Sequence, residues 1–303
     1  MEELESGGEE TTQAGGWLEA SAAAKINLGL RIFPRGADGY HPIETIFCRT
    51  DFADRLRVRE RAEPGVGLRV TGLGSVPAGP DNLAFRAAVL FLGQAECGSG
   101  LEIELEKRIP PGAGLGGGSS DAAAVLRLLA RRFQLPGGRQ ALLQMAYELG
   151  ADVPFFAADV PLAVAAGRGE RLLAYPNLEP RPLALLLPDL QIVTSAAYAS
   201  WDDYSAGLEG RAVPRGSAVP DISSWSDLRR TANDFEPVIF ASHPRLRELS
   251  AALGATRPLL AQLSGSGSAL YGIYESNSER EEAIAKLTGE LANVRIVSAY
   301  GPV

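Results

Sequence analysis

A glycine-rich stretch next to a helix-forming stretch is the first feature of the chain that could do chemistry. Glycine occupies five of the eleven positions from Pro110 to Ser120, and an alanine-rich apolar run follows at once. Glycine tolerates positive φ and lets backbone N–H groups approach a ligand closely. The first turn of a helix adds N–H groups without partners and a partial positive charge. The stretch is therefore typical of a phosphate loop, with a bare surface turn as the alternative.

The predicted phosphate loop ends where the helix starts. Serine is a favoured N-cap, so the sequence predicts a helix that begins at Ser119 or Ser120 and is anchored by apolar residues from Val125 to Leu129. The two serines would either cap the helix only or also touch the phosphates or Mg²⁺. The residues predicted to bind the nucleotide are Pro110, Pro111, Gly112, Ala113, Gly114, Leu115, Gly116, Gly117, Gly118, Ser119 and Ser120.

Other patterns for nucleotides, nucleophiles and metals fit this chain less well. The loop has no lysine, so it is not a Walker A sequence. "GAGLGG" at 112–117 matches the dinucleotide pattern G-x-G-x-x-G, but no acidic residue occurs between Asp121 and Glu148, where that fold needs one. The motifs of protein kinases and of serine hydrolases are absent. With two histidines and two distant cysteines, no metal site is predicted.

Two charged residues stand in stretches that would bury them. Lys25 lies in an alternating apolar run from Trp17 that predicts a β-strand. Asn27 is two residues further on and so shares a strand face with Lys25. Asp152 lies between a helix expected to end at Gly150 and the apolar "VPFF". A partly buried aspartate needs a cation or hydrogen-bond donors to stay charged, and Lys25 is the obvious candidate.

The surrounding elements predict an α+β protein with two lobes. Strand-like and helix-like segments are joined by short linkers, several strand pairs are predicted to be antiparallel, and no internal repeat is present. We expect a flexible acidic tail over residues 1–16 and an N-terminal ATP-binding domain over 17–172. A C-terminal α+β domain is expected over 173–303.

Composition narrows the classes of function. The 303 residues are 46% hydrophobic and 22% charged, as in an ordinary globular protein, and the net charge of -8 argues against non-specific nucleic-acid binding. No apolar run approaches 18 residues, so no membrane span is predicted. The N-terminus lacks the basic and apolar regions of a signal peptide. Cys48 and Cys97 match no C-x-x-C pattern and are expected to be reduced thiols, which favours the cytoplasm.

The glycine loop also carries a family resemblance. "PPGAGLGGGSSDAA" resembles the phosphate-binding signature of the GHMP superfamily of small-molecule kinases. "AAAKINLGL" at 22–30, "ADGYHPIETIF" at 37–47 and "GADVPFF" at 150–156 resemble the branch that acts on 4-diphosphocytidyl-2-C-methyl-D-erythritol, and "NDFEPVIF" and "LSGSGSALYG" also fit. The resemblance implies a two-lobe kinase that transfers the γ-phosphoryl group of ATP, carried with Mg²⁺, to the 2-hydroxyl of that cytidine diphosphate compound. This reaction belongs to the non-mevalonate synthesis of isoprenoid precursors.

The resemblance implies roles for single residues. Lys25 would place a cation near the acceptor hydroxyl and the transferred phosphoryl group. Asp152 would act either as a base or as an orienting partner. Tyr40 and His41 follow an Asp-Gly turn, where an aromatic face can stack on cytosine and an imidazole can hydrogen-bond the edge of the base.

Further expectations concern the rest of the site and the partners. Asn27 and Tyr198 would also face the substrate, and the second glycine-serine turn, Ser264–Gly267, would approach the active site. The expected partner is the small-molecule cytidine diphosphate substrate, with no nucleic acid and no membrane, and the protein would be a monomer or homodimer. Two departures from the family pattern, Ala23 for a frequent proline and Ser-Ala-Leu at 268–270 for Pro-Thr-Val, remove no charged group.

Three other functions stay open on the sequence alone. A GHMP kinase for mevalonate or homoserine would share the loop but is not expected to carry "DGYH" at 38–41. A catalytically silent nucleotide-binding protein would be free to lose Lys25 and Asp152, and both are present. A dinucleotide oxidoreductase is disfavoured by the missing acidic residue.

Overall fold

The computed structural model describes residues 16–74, 76–95, 100–175, 178–207 and 224–303. The tail predicted over 1–16 lies outside the described residues except for Gly16, and so does Cys97. Cys48 is buried and free, and burial raises the pKa of its thiol well above the ordinary value. None of the helices in these ranges is long and apolar enough to cross a bilayer.

Ten β-strands and eight α-helices make up the described chain. The strands are β1 (Leu18–Ile32), β2 (Ile43–Arg61), β3 (Val66–Gly72), β4 (Gly100–Lys107), β5 (Leu162–Gly167), β6 (Arg171–Ala174), β7 (Arg181–Pro188), β8 (Leu260–Leu263), β9 (Leu270–Ile273) and β10 (Val294–Gly301). The helices are α1 (Leu83–Gln94), α2 (Gly117–Arg132), α3 (Gly138–Leu149), α4 (Val153–Ala158), α5 (Thr194–Ala206), α6 (Glu236–Ser242), α7 (Pro244–Gly254) and α8 (Asn277–Glu290). The predicted α+β class is confirmed.

The described residues form two compact units, each defined by its ranges along the sequence. Unit 1 consists of Met1–Ala24, Ala53–Pro111 and Gly116–Val160. Unit 2 consists of Lys25–Phe52, Gly112–Leu115 and Pro161–Val303. Strands β1 and β2 each contribute one part to unit 1 and the other part to unit 2. The linear division after residue 172 stays a prediction.

Unit 1 combines paired strands with a group of helices. The later part of β2 pairs antiparallel with β4, and β4 pairs parallel with β3. Leu101, Ile103 and Leu105 of β4 are buried, as their strict alternation predicts. Helix α2 packs against α1, α3 and α4. Its small and apolar residues favour a helix, and Arg131 and Arg132 in its last turn complement the helix dipole.

Unit 2 contains an antiparallel sheet in the order β10-β7-β9-β8. The residues from Leu183 to Leu187 on β7 are all buried, as expected for a continuous apolar strand. The earlier part of β2 pairs antiparallel with β5, and β5 with β6. Leu30 and Ile32 at the end of β1 join the core formed with β7, β9 and helices α6 to α8. Each fully buried leucine of this core contributes about 1.5–3 kcal/mol, and the core thereby fixes the backbone of β1.

Candidate active site

Helix α2 begins earlier than serine capping predicts. It starts at Gly117, and Gly116 before it adopts the left-handed conformation with a φ of 70°. The prediction of a start at Ser119 or Ser120 is therefore wrong. Because the N-cap residue is glycine, no N-cap side chain takes up the first backbone N–H groups, which suits an anion site.

Close packing explains why the helix starts on glycines. A Cβ atom at Gly117 would lie 2.9 Å from Cγ2 of Ile109 and 3.3 Å from Nζ of Lys107. Atoms packed at ordinary van der Waals separation lie further apart than this. Tertiary packing therefore favours glycine here and outweighs its low helix propensity. The two serines lie inside the helix, with Ser119 half-buried and Ser120 buried.

Next to this helix start, Lys107 of β4 joins Asp54 of β2 and Asp121 of α2 in a buried charge cluster. The ammonium of Lys107 donates to Oδ2 of Asp54 and, at 2.7 Å, to Oδ2 of Asp121. Oδ1 of Asp54 accepts the backbone N–H groups of Arg108 at 2.5 Å and of Ile109 at 2.8 Å. The cluster thereby ties the residues just before the predicted phosphate loop to the second turn of α2.

In this cluster, burial and the oppositely charged partner shift the pKa of a group in opposite directions. Burial raises the pKa of Asp121 well above its ordinary value, an effect that Lys107 opposes and Asp54 reinforces. Burial by itself would lower the pKa of Lys107, but the two carboxylates together raise it. Oδ1 of Asp121 is buried and has no hydrogen-bond partner among the described residues.

Asp152 immediately precedes the short helix α4 and is half-buried, as its apolar flank predicts. Its side chain does not cap α4, so a capping role does not account for it. Arg127 of α2 anchors α4, because its Nη1 donates to the carbonyl oxygen of Phe156 at 2.6 Å and pairs with Asp159 at 3.3 Å. Helix α2 therefore positions both its own first amides and the helix that follows Asp152.

In unit 2, Lys25 and Asn27 are buried on β1 and in direct contact. Nζ of Lys25 donates to Oδ1 of Asn27 at 2.6 Å and lies 4.8 Å from the ring centroid of Phe47. Nδ2 of Asn27 donates to Oγ1 of Thr45 at 2.9 Å, and that hydroxyl donates to the carbonyl oxygen of Gly29 at 2.5 Å. The shared strand face predicted for Lys25 and Asn27 is confirmed.

The middle of the glycine loop, Gly112–Leu115, belongs to unit 2 and lies against β1. The carbonyl oxygen of Leu115 accepts the backbone N–H of Lys25 at 2.9 Å. A Cβ atom at Gly114 would lie 2.0 Å from the carbonyl oxygen of Ser264, and Gly114 has a φ of 76°, so only glycine fits there. This part of the loop and the predicted catalytic lysine are thus neighbours.

The second glycine-serine turn, Ser264–Gly267, packs on the same loop segment. Oγ of Ser264 donates to the carbonyl oxygen of Gly114 at 2.9 Å. A Cβ atom at Gly265 would lie 3.5 Å from Oδ1 of Asn27. The turn therefore lies beside Asn27, whose amide oxygen accepts a hydrogen bond from Lys25.

His41 and Tyr198 form a stacked aromatic pair, with ring centroids 4.9 Å apart and planes 9° apart. Nε2 of His41 hydrogen-bonds Oδ1 of Asp202 at 2.6 Å, and Oδ2 of Asp202 pairs with Arg35 at 3.3 Å. Tyr198 also meets Phe235 edge to face at 5.0 Å. The structure therefore brings together two of the residues predicted to face the substrate.

Tyr40 lies in a separate contact with Arg168 and is 55% exposed. The guanidinium of Arg168 lies 3.5 Å from the ring centroid of Tyr40, a cation–π contact, and Nη2 donates to Asp38 at 3.0 Å. The backbone N–H of Tyr40 and the guanidinium of Arg168 lower the pKa of Asp38. One face of the Tyr40 ring is therefore covered by arginine.

Comparison with known proteins assigns these features to one family. The sequence profile of the GHMP kinases N terminal domain matches residues 82–166, and that of the GHMP kinases C terminal matches residues 217–293. A 4-diphosphocytidyl-2-C-methyl-D-erythritol kinase from Salinibacter ruber is 39% identical over 277 residues, which span 89% of this chain and 94% of the relative. The chain belongs to the 4-diphosphocytidyl-2-C-methyl-D-erythritol kinase family.

Solved structures agree with membership of this family. A crystal structure of a 4-(cytidine 5'-diphospho)-2C-methyl-D-erythritol kinase matches with a TM-score of 0.75 and 36% identity, over 93% of this chain and 98% of the other. A homoserine kinase from Cytophaga hutchinsonii has a TM-score of 0.70 at 17% identity, over 96% of each chain, and shows the shared fold alone. The predicted GHMP kinase fold is confirmed, and the chain is a small-molecule kinase.

Three residues contact the predicted site residues but are not identified by the sequence alone. Thr45 lies within a stretch that resembles the family, but nothing in its type shows that it meets Asn27. Asp202 follows Tyr198 by one helical turn, a spacing that places both on one face of a helix and could have identified it. Arg168 has no sequence signal, because it reaches Tyr40 from a turn that is distant along the chain.

Proposed function

We propose that this chain transfers the γ-phosphoryl group of ATP to the 2-hydroxyl of 4-diphosphocytidyl-2-C-methyl-D-erythritol. The observation that carries the proposal is the match to a curated kinase of that name along 94% of its length. The glycine loop, Lys25 and Asp152 are all present, which supports an active enzyme rather than a silent relative.

The phosphates of ATP bind, in this proposal, along the glycine loop from Pro110 to Ser120. The N–H groups at the start of α2 and the positive end of its dipole favour an anion there. Gly116 supports this role because it contributes no capping side chain. Mg²⁺ would be carried with ATP and would neutralise phosphate charge, since it commonly relies on substrate phosphates and few protein groups. In the described ranges, no group of three or more His, Cys, Asp or Glu side chains could hold a metal ion.

Lys25 and Asp152 are the proposed catalytic residues. The transition state of phosphoryl transfer is loose, so positioning and charge stabilisation dominate. The ammonium of Lys25 stabilises negative charge on the transferred group. The bond from phosphorus to the bridging oxygen of ADP breaks while a bond to the substrate hydroxyl oxygen forms. The hydroxyl proton passes to Asp152 if Asp152 is the base, or to solvent if Asp152 only orients the hydroxyl.

The cytosine ring is proposed to bind at Tyr40, His41 and Tyr198. Flat aromatic surfaces stack on bases with about 1–3 kcal/mol per base, and the stacked pair of His41 and Tyr198 supports this assignment. Asn27 uses its amide oxygen for Lys25 and one N–H for Thr45. The second N–H of that amide is the group through which Asn27 would face the substrate.

The proposed setting is the synthesis of isoprenoid precursors by the non-mevalonate route, in the cytoplasm, by a monomer or homodimer. The substrate named for the relatives supports the pathway. The expected partner of the enzyme is this cytidine diphosphate substrate alone.

The decisive experiment measures ADP release with ATP, Mg²⁺ and 4-diphosphocytidyl-2-C-methyl-D-erythritol, with mevalonate and homoserine in parallel reactions. Asp152→Asn is the matched variant, because it keeps the shape of the side chain and removes its charge. Turnover with the cytidine compound alone, reduced about 10²–10⁴-fold in the variant, is the expected result.

Other outcomes would change the substrate, the activity or the role of Asp152 in this proposal. Turnover with mevalonate or homoserine would keep the family fold and discard the substrate. Tight ATP binding without turnover of any of the three would favour a binding protein. A pH–rate profile whose acid limb disappears in Asp152→Asn would identify Asp152 as the base, and an unchanged profile at lower rate would identify it as an orienting group.

A further inference from the structure

The amide of Asn27 lies between a lysine and a threonine, and this order fixes the direction of each hydrogen bond. A lysine ammonium has three donors and no acceptor. The contact of 2.6 Å from Nζ of Lys25 therefore requires Oδ1 of Asn27 on that side. Nδ2 of Asn27, a donor, then faces Oγ1 of Thr45 at 2.9 Å, so that oxygen must accept.

Thr45 can accept because its own hydroxyl proton is used elsewhere. The hydroxyl donates to the carbonyl oxygen of Gly29 at 2.5 Å, which leaves a lone pair for Asn27. The three bonds form one directed series from Lys25 through Asn27 and Thr45 to Gly29. The residues Lys25, Asn27 and Thr45 are 5%, 1% and 1% exposed, so water has little access to compete for these groups.

The far end of the series is fixed by the interior of unit 2. The backbone N–H of Gly29 donates to Oε1 of Gln262 at 2.9 Å, and Nε2 of Gln262 donates to the carbonyl oxygen of Thr231 at 2.7 Å. The hydroxyl of Tyr271 donates to the carbonyl oxygen of Asn27 at 2.7 Å. The backbone of β1 is therefore held at Asn27, within the series, and at Gly29, at its far end.

We propose that Thr45 is a positioning residue for the kinase reaction and that it acts through the amide of Asn27 to orient the ammonium of Lys25. This inference rests on the proposed function, since Lys25 has a catalytic task only in a kinase. Valine at position 45 would leave Nδ2 of Asn27 without its acceptor. The amide could then rotate, and Lys25 would lose a buried oxygen that helps to orient its ammonium.

The first test compares the steady-state kinetics of Thr45→Val, Thr45→Ser and Thr50→Val with ATP and the cytidine substrate. Thr50 is also buried on β2 and serves as the matched control for loss of a buried hydroxyl. We expect kcat of Thr45→Val to fall about 10- to 100-fold with KM for ATP nearly unchanged, because small misplacement of a catalytic group costs that much. Thr45→Ser restores most of kcat, and Thr50→Val keeps it. Thr45→Ala replaces Thr45→Val if valine prevents folding.

The second test observes the ammonium signal of Lys25 directly and does not depend on catalysis. The sequence has three lysines, of which Lys25 and Lys107 are buried and Lys286 is exposed. Protein labelled with ¹⁵N-lysine therefore gives three ammonium signals, and Lys25→Met identifies the signal of Lys25. We expect Thr45→Val to shift that signal and speed its exchange with water, while the signal of Lys107 stays in place.

The outcomes separate this inference from the function on which it rests. No turnover by the wild type with the cytidine substrate overturns the proposed function, and the catalytic role of Thr45 with it. Wild-type turnover with unchanged kcat and an unchanged Lys25 signal in Thr45→Val overturns the role of Thr45 alone. So does an equal fall of kcat in Thr50→Val, or a failure of Thr45→Ser to restore activity, because either indicates a general packing effect.

Discussion

Two buried lysines, Lys107 in unit 1 and Lys25 in unit 2, donate hydrogen bonds to groups of different charge. Lys107 donates to the carboxylates of Asp54 and Asp121. Lys25 donates to the neutral amide oxygen of Asn27. A carboxylate both orients and neutralises the cation that it binds, whereas an amide orients the cation and takes none of its charge.

This difference separates a structural cation from a proposed catalytic one. Lys107 neutralises carboxylate charge inside unit 1 and joins β2, β4 and α2. The amide of Asn27 helps to orient the ammonium of Lys25, and as a neutral group it does not neutralise the charge that would act on a phosphoryl group. Burial is nearly the same at the two sites, 3% and 5% exposed, so burial does not distinguish the roles of the two lysines.

Removing the cation of unit 1 should have the largest effect on stability. Lys107→Met leaves the charge of the Asp54 carboxylate buried beside Asp121 without its cation, and breaking such a buried pair costs about 3–5 kcal/mol. Urea unfolding at pH 7 measures the loss. Lys286→Met, on the exposed face of α8, is the control and should stay within about 0.5 kcal/mol of the wild type. A loss of unfolding free energy below about 1 kcal/mol in Lys107→Met would contradict the assignment of Lys107 as a structural cation.

Removing the cation of unit 2 should instead act on catalysis. We expect Lys25→Met to lower kcat about 10²–10³-fold, as for loss of one charge-stabilising group, and to change the free energy of unfolding far less than Lys107→Met does. ADP release and the same urea titration measure both quantities. Retained kcat together with a stability loss as large as that of Lys107→Met would reverse the two assignments.

A smaller effect is expected on the pH dependence of the free energy of unfolding, through Asp121 in unit 1. Because burial raises the pKa of Asp121 in the folded state, the folded protein keeps a proton that the unfolded chain has released at neutral pH. Stability therefore falls as pH rises from the ordinary pKa of an aspartate toward the raised one, by up to about 1.4 kcal/mol per pH unit.

Asp121→Asn should remove this dependence and so gain stability relative to the wild type as pH rises. Urea midpoints at pH 5 and pH 8 measure the change. Asp81→Asn, at an exposed position of unit 1, is the matched control and should leave the slope as in the wild type. Identical pH dependence in wild type and Asp121→Asn would show that Asp121 is charged throughout this range.

Local patterns predicted the parts of the site that lie close together in sequence. Alternation placed Lys25 and Asn27 on one strand face, and glycine spacing identified the loop before α2. The helix start was misplaced because packing against Ile109 and Lys107 selects glycine at position 117, and that contact is invisible to propensity. Capping preference is a local property, and here a tertiary contact overrides it.

The partners of the predicted residues could not be obtained in the same way. Thr45 meets Asn27 from another strand, and Asp202 meets His41 from a distant helix. Asp54 and Asp121 are well separated in sequence, and only the fold of unit 1 brings both to Lys107. Hydrogen-bond partners of this kind depend on strand pairing and helix packing, which one sequence does not specify residue by residue.

The scarcity of lysine has a practical consequence for handling this enzyme. Two of its three lysines are shielded, so Lys286 on α8 is the exposed lysine of the described chain. An amine-reactive dye or sensor coating would couple there or at the amino terminus while the fold is intact. The immobilised protein would then be attached through a residue other than Lys25. Any labelling of Lys25 over time would report how often its strand opens.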